Sequence, residues 1–205
     1  MSEHIALRDG SEVAIRRLTP ADSAGLLDAF ARLSEESRTH RFLSPKSHLT
    51  SEEVRYLTDV DGEHHEALGA FEAEGGKLVG VARFVRLAPG SDAAEVAVTV
   101  VDYWQRRGLG TELLERLSAR ARQGGIHRFT ALVAADNAAM IELLRGIGAS
   151  IHADGAGGAL EYEIELEPAG MGDKLRAALR AAAAGHLAPP ARVRQAVAAL
   201  LPERT

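Results

Sequence analysis

Cysteine is absent from the 205 residues, which excludes a disulfide framework, a thiolate nucleophile and a cysteine-ligated zinc. Met1–Gly10 contains no apolar signal core, and no window approaches the ~20 apolar residues of a membrane span, so the cytoplasm is the expected compartment. Net positive charge is lacking as well. The 24 basic and 29 acidic residues leave −5, which argues against nucleic acid or an anionic membrane as the main partner while allowing a local basic patch. No internal repeat is present. What is there is ordinary for a chain that buries a core: 46% hydrophobic and 26% charged residues. The length fits one α/β domain with an appendage better than two small domains.

Glu12–Leu18 alternates and is β-branched, which predicts a first strand. Thr19 stands at an N-cap before Pro20, and Leu26, Leu27, Phe30 and Leu33 form the apolar stripe of a helix to about Leu33. Arg32–Pro45, rich in charge and hydroxyls, reads as a helix end running into a loop. Thr50-Ser51-Glu52-Glu53 matches a capping box and predicts a short helix to about Thr58. Glu66–Glu72 and Lys77–Leu87, separated by Ala73-Glu74-Gly75-Gly76, predict a hairpin. Ala93–Val101 is a further strand, with Glu95, Ala97, Thr99 and Val101 on one face and Ala94, Val96, Val98 and Val100 on the other. Leu109, Leu113, Leu114, Leu117 and Ala121 then line one face of a helix that Gly124-Gly125 ends. Arg128–Ala134 is a strand, Asp136 or Asn137 caps a helix ending at Gly146 or Gly148, and Ser150–Ala153 and Leu160–Leu166 are two last strands. After Pro168 the composition shifts to alanine and arginine. The boundaries expected are a domain over 1–167 and a helical C-terminal extension over 168–205.

The stretch Val96–Leu117 carries the chemistry. A strand runs into Gln105-Arg106-Arg107-Gly108-Leu109-Gly110-Thr111, and this turn opens a helix. Its glycines permit angles and close approach that a β-carbon obstructs, and the helix start offers unpaired N–H groups and the positive end of its dipole. Two arginines add full charges, and the whole suits a pyrophosphate. Neither the G-x-G-x-x-G of a dinucleotide fold nor the lysine of a P-loop is present. A structural turn with solvated arginines is the bland alternative.

A strand followed by Q/R-x-x-G-x-G/A and a helix resembles the acetyl-CoA motif of the GNAT superfamily of N-acetyltransferases, matched at Gln105, Gly108 and Gly110. The later N-x-x-A/M-x-x-L helix is matched at Asn137, Met140, Leu143 and Gly148. Leu33–Leu43, Leu57–Leu68 and Val79–Val85 look like the acetyltransferase domain of bacterial protein-lysine acetyltransferases. The resemblance covers about Ser11–Leu166. It implies an α/β GNAT fold, a mixed sheet of about six or seven strands with helices on both faces. It further implies acetyl-CoA as co-substrate, no metal, and an amine acceptor, with a protein lysine favoured. A homodimer stays open. Backbone groups of Val98 and Val100 would align the pantetheine arm, the amides from Gln105 through Leu109 to Thr111 with Arg106 and Arg107 would hold the pyrophosphate, and Asn137 would contact the pantetheine or nearby backbone.

By the same resemblance Glu95 matches the general base of the lysine acetyltransferase group. The chemistry needs one, because a lysine amine of pKa about 10.4 is mostly protonated at pH 7 and an ammonium has no lone pair. Small neighbours, Ala97 and Thr99, leave room beside this glutamate, and partial burial would raise its pKa. A solvated carboxylate near a strand start is the alternative. His65 and Asp61 are candidates for catalysis or for loop capping. Leu144 stands where many members carry the tyrosine that protonates the leaving thiolate. A small-amine acceptor (an aminoglycoside or polyamine) and a non-catalytic acyl-CoA-binding module are the competing readings.

Overall fold

Alternation of small and branched residues makes one mixed sheet. The computed structural model describes residues 2–135, 150–155 and 159–166. Its strands are β1 (Glu3–Ala6), β2 (Glu12–Arg17), β3 (His65–Glu72), β4 (Leu78–Arg86), β5 (Ala93–Val100), β6 (Arg128–Ala134), β7 (Ser150–Gly155) and β8 (Ala159–Glu165), ordered β1-β2-β3-β4-β5-β6-β8-β7. All neighbours are antiparallel except β5 and β6, which are parallel. The α-helices among the described residues are α1 (Ser23–Ala31), α2 (Glu35–Phe42), α3 (Ser51–Thr58) and α4 (Leu109–Gln123). The expected α/β mixed sheet is therefore present, with eight strands among the described residues where about six or seven were expected. The added strand is β1, whose single branched residue, Ile5, gives no alternating signal.

The pleat sorts the core into two layers. On β4, Ala82 and Phe84 join the cluster containing Leu109, Leu113, Leu114 and Leu117 of α4, whereas Leu78, Val81 and Val85 meet the cluster containing Leu26, Phe30 and Leu57 of α1 and α3. Helices thus cover both faces. Gly80 lets α4 lie close, since a β-carbon there would meet Leu113 Cδ1 at 3.0 Å. Glu66, buried in the sheet, accepts from Arg17 Nε (2.9 Å) and Nη2 (2.6 Å) and from Arg120 Nη1 of α4 (3.2 Å), which ties β2, β3 and α4 together.

The capping box at Thr50 forms as expected: Thr50 Oγ1 accepts from the Glu53 amide (3.2 Å), and Glu53 Oε2 accepts from the Thr50 amide (2.7 Å). Arg32–Pro45 is not mainly loop, because α2 occupies its middle. Ser34 caps this helix by accepting from the Ser37 amide, and Leu43, at φ 51°, ends it in the left-handed region. The inward residues of α2 include Ser37 and Arg41, so it has no apolar stripe to read. The Asn137 helix and the proposed extension over 168–205 lie outside the described residues.

Burial outweighs capping here. A fully buried leucine contributes about 1.5–3 kcal/mol and its deletion leaves a cavity, whereas an N-cap contributes about 1 kcal/mol. Leu117→Ala, at a fully buried position on α4, should cost about 2–5 kcal/mol in urea unfolding, against about 0.5–2 kcal/mol for Thr50→Ala.

Candidate functional site

Among the described residues, one edge of β5 is left open beyond the start of the strand. Its parallel pairing with β6 covers only Ala93–Glu95 with Arg128–Thr130, while β6 continues along β8 to Ala134. Val101 donates its amide to the Val79 carbonyl (2.9 Å), which fixes the odd-numbered peptides of β5 towards β4. Peptide groups of Val98 and Val100 therefore point the other way, beyond the β6 pairing and into the opening. The Val100 carbonyl accepts from Gln105 Nε2 (3.1 Å), so Gln105 braces the strand end.

Beyond that end a 3₁₀ turn, Asp102–Trp104, leads to α4. Arg106 (φ 63°) and Gly108 (φ 91°) both take left-handed angles, and the chain reverses to present the helix start. Leu109, Gly110 and Thr111 open α4, so their amides have no intrahelical acceptor. A hollow lies there, lined by Val100, Gln105, Arg106, Gly108 and Gly110 together with Arg8. Arg107 is not part of the lining: its guanidinium reaches Ser11 Oγ (3.0 Å), Asp9 Oδ2 (3.1 Å) and the Tyr103 carbonyl (2.9 Å), and it lies over the rings of Tyr103 and Trp104. Trp104 is buried and donates from Nε1 to Glu72 Oε1 (3.1 Å), a packing role. Free amides, two basic side chains and the buried, unpartnered Thr111 Oγ1 fit an anionic group such as a pyrophosphate. Arg8 was invisible to sequence pattern, since it comes from the β1–β2 turn.

Thr99 and Val101, on the other face of β5, line a cavity under α1, α2 and α3, with about 460 Å³ of atom-free space partly continuous with solvent. Glu95 is buried at 7% exposure on that face, opposite Val85, which in turn pairs with His65. Tyr56 stacks on His65 with ring centroids 5.0 Å apart, and its phenol is held above its ordinary pKa by burial, with negative charge at Glu95 and Asp61 adding to the effect and Arg83 opposing it. Arg83 Nη1 donates to His65 Nε2 (3.1 Å) and Nη2 to the Leu57 carbonyl (3.0 Å). Burial, then the Arg83 charge, pushes the His65 pKa down to about 3, so the ring is a neutral acceptor at Nε2. Asp61 Oδ1 accepts from the amides of Glu63, His64 and His65 (2.8, 2.8 and 2.9 Å), the geometry of a loop cap. Burial opposes its ionisation, but those amides hold the carboxyl below the usual range.

Asp102 joins the two sides. Oδ1 accepts from Ser34 Oγ and Ser37 Oγ (both 2.7 Å) and Oδ2 from the Ser34 amide (3.0 Å), tying α2 to the turn before α4. Of the expected site residues, Val98, Val100, Gln105, Arg106, Gly108, Leu109, Gly110 and Thr111 converge on the opening and the hollow. Glu95 lies on the cavity face, and Arg107 braces the turn from outside. Asn137 and Leu144 lie outside the described residues.

A model of the Acetyltransferase (GNAT) family matches residues 28–149. The chain is 34% identical over 145 residues to the Acetyltransferase Pat of Mycolicibacterium smegmatis, a match covering 71% of this chain and 43% of that protein. Its fold superposes on the GNAT domain of S. lividans PAT with a TM-score of 0.72 and 31% identity, over 80% of this chain and 97% of that one. A cAMP-binding acyltransferase from Mycobacterium smegmatis matches at TM-score 0.57 and 27% identity, over 96% of this chain and 56% of that one.

The buried histidine predicts a pH dependence. Its folded pKa lies below the unfolded value of 6.5, so its contribution is complete above about 6.5 and is lost as pH falls towards about 3, where the unfolded chain binds a proton that the folded one refuses. The His65 share of the slope approaches ~1.4 kcal/mol per pH unit, and His65→Gln should flatten the fall in urea midpoint between about pH 4 and about pH 6.5.

Proposed function

The chain belongs to the GNAT family of acetyltransferases, and from that premise we propose that it transfers acetyl from acetyl-CoA to an amine, a protein lysine by preference, by direct attack in a ternary complex. The observation that carries this reading is the open edge of β5, with an anion hollow on one side and a buried carboxylate, Glu95, on the other. Acetyl-CoA supplies the activated thioester. Amides of Leu109, Gly110 and Thr111 with Arg8 and Arg106 hold its pyrophosphate, and the outward peptide groups of Val98 and Val100 align the pantetheine as a strand would. Asn137 would contact the pantetheine or the adjacent backbone. Arg107 positions the turn through Asp9 and Ser11.

Glu95 takes a proton from the acceptor ammonium, directly or through water, which leaves the amine lone pair free for attack. Its small neighbours on that face, Ala97 and Thr99, give the acceptor room. The resemblance of Leu33–Leu43, Leu57–Leu68 and Val79–Val85 to bacterial protein-lysine acetyltransferases supports the lysine preference; a small amine is the second reading, favoured by the partly enclosed cavity beneath α1–α3. The same reading assigns the acetyltransferase domain to 1–167 and a helical extension to 168–205, and places the protein in the cytoplasm. No helix among the described residues is long and apolar enough to cross a membrane.

Glu95→Gln should leave acetyl-CoA affinity nearly intact, lower turnover by about 10²–10⁴-fold and abolish the acid limb of the pH–rate profile. An unchanged profile moves the base elsewhere. Gly110→Trp should eliminate calorimetric binding of CoA, because the indole would fill the buried start of α4. Release of free CoA with a panel of amines and proteins tests the activity itself: binding without transfer to any acceptor means a non-catalytic acyl-CoA module.

A further inference from the structure

The cavity beneath α1–α3 contains two arginines that the reaction above does not use. Arg41 of α2 is 6% exposed and Arg83 of β4 is 1% exposed, and both line the same space. Neither makes an ion pair among the described residues. Arg83 is held by His65 and the Leu57 carbonyl, yet its Nε has no acceptor; Arg41 rests over the Phe42 ring, and its buried Nη1 has none either. Thr99 Oγ1, on the cavity wall, is a third buried polar atom without a partner. Burial pushes the Arg41 pKa down to about 9 and the Arg83 pKa to about 10, and the Arg83 charge adds to the effect at Arg41. Both stay charged at neutral pH.

A buried guanidinium without a counter-charge opposes folding, so two of them facing one cavity imply a ligand that supplies the missing charge. We propose that the Arg41–Arg83 cavity is a carboxylate-recognition subsite of the acyl-transfer site, taking a short carboxylate-bearing group from either the acyl donor or the amine acceptor. Arg41 Nη1, Arg83 Nε and Thr99 Oγ1 are three donor atoms without a partner on residues that line this space, a number that two carboxylate oxygens can accept. Leu26, Phe30, Leu33, Leu57 and Val81 around the arginines suit a few methylenes behind the charge. The cavity is on the Glu95 face of β5, the face opposite the anion hollow, so an acyl terminus or acceptor carboxylate entering it lies on the side where the amine is deprotonated. Asp102, through Ser34 and Ser37, fixes the helix that carries Arg41.

The proposal rests on the acyl-transfer reading only for the source of the carboxylate, and binding can be measured without turnover. Succinate, with succinamide as its uncharged control, is the probe for thermal shift and calorimetry on the full chain. Succinate should bind and raise the melting temperature while succinamide does not. Arg41→Met should weaken succinate binding by about ten- to a hundred-fold, the value of a charge-assisted hydrogen bond, and should itself melt higher than the parent chain because an uncompensated charge is removed. Thr99→Val, nearly isosteric, should weaken binding in the same direction and serves if Arg41→Met does not fold. Two kinetic arms then find the source: a preference for succinyl-CoA over acetyl-CoA assigns the acyl chain, and a preference for lysine over lysinamide assigns the acceptor, each lost in Arg41→Met. Succinate that fails to bind, or binds Arg41→Met as tightly as the parent, overturns the subsite even if acetyl transfer to uncharged amines persists. Absence of any transfer alongside selective succinate binding overturns the transferase reading instead.

Discussion

The amide of Val101 bonded to the Val79 carbonyl sets the direction of every peptide along β5, and the rest of the site follows from it. Once the odd-numbered peptides are committed to β4, the even-numbered ones face β6, and β6 pairs with them only as far as Glu95. A sheet interior rarely leaves such groups bare, because an unpaired buried peptide costs about as much as a lost hydrogen bond. Here the gap is bordered by the start of α4 and by Gln105, which satisfies the Val100 carbonyl. Under the proposed function, the opening is the place where an extended ligand would complete the hydrogen bonding of the fold.

Two opposite electrostatic regimes flank that opening. On the α4 side the positive end of a helix and two solvent-reaching arginines, Arg8 and Arg106, suit an anion at the surface, where binding would be steered and screened by salt. On the α1–α3 side the charges are buried, sparsely compensated and rigidly held: Arg83 by His65 and Leu57, α2 by Asp102. The first arrangement suits a large, strongly charged group arriving from water. The second discriminates among small groups, since an unpaired guanidinium in low dielectric distinguishes charged from neutral partners far more sharply than a surface one does.

Much of this was legible in the residues. The β5 alternation, the strand–turn–helix around Gly108 and Gly110, the capping box at Thr50 and the stripe of α4 each obey a local rule, and each forms where the pattern places it. The exceptions share one cause. In α2 the inward groups include Ser37 and Arg41 rather than an apolar stripe, β1 is a short exposed edge strand, and Arg8 and Asp102 act through partners that sequence separation hides. Arg107 was expected at the pyrophosphate, but a neighbouring turn supplies Asp9 and Ser11 to hold it. Local periodicity cannot register contacts that exist only once distant segments meet.

The most direct test is amide hydrogen exchange, resolved by residue, with and without acetyl-CoA. The open-edge account predicts new protection at Val98 and Val100 and at the first amides of α4, Leu109 to Thr111, with the Val101 amide, already bonded to Val79, unchanged. Protection confined to other segments, with Val98, Val100 and the α4 start exchanging as in the free protein, would contradict it.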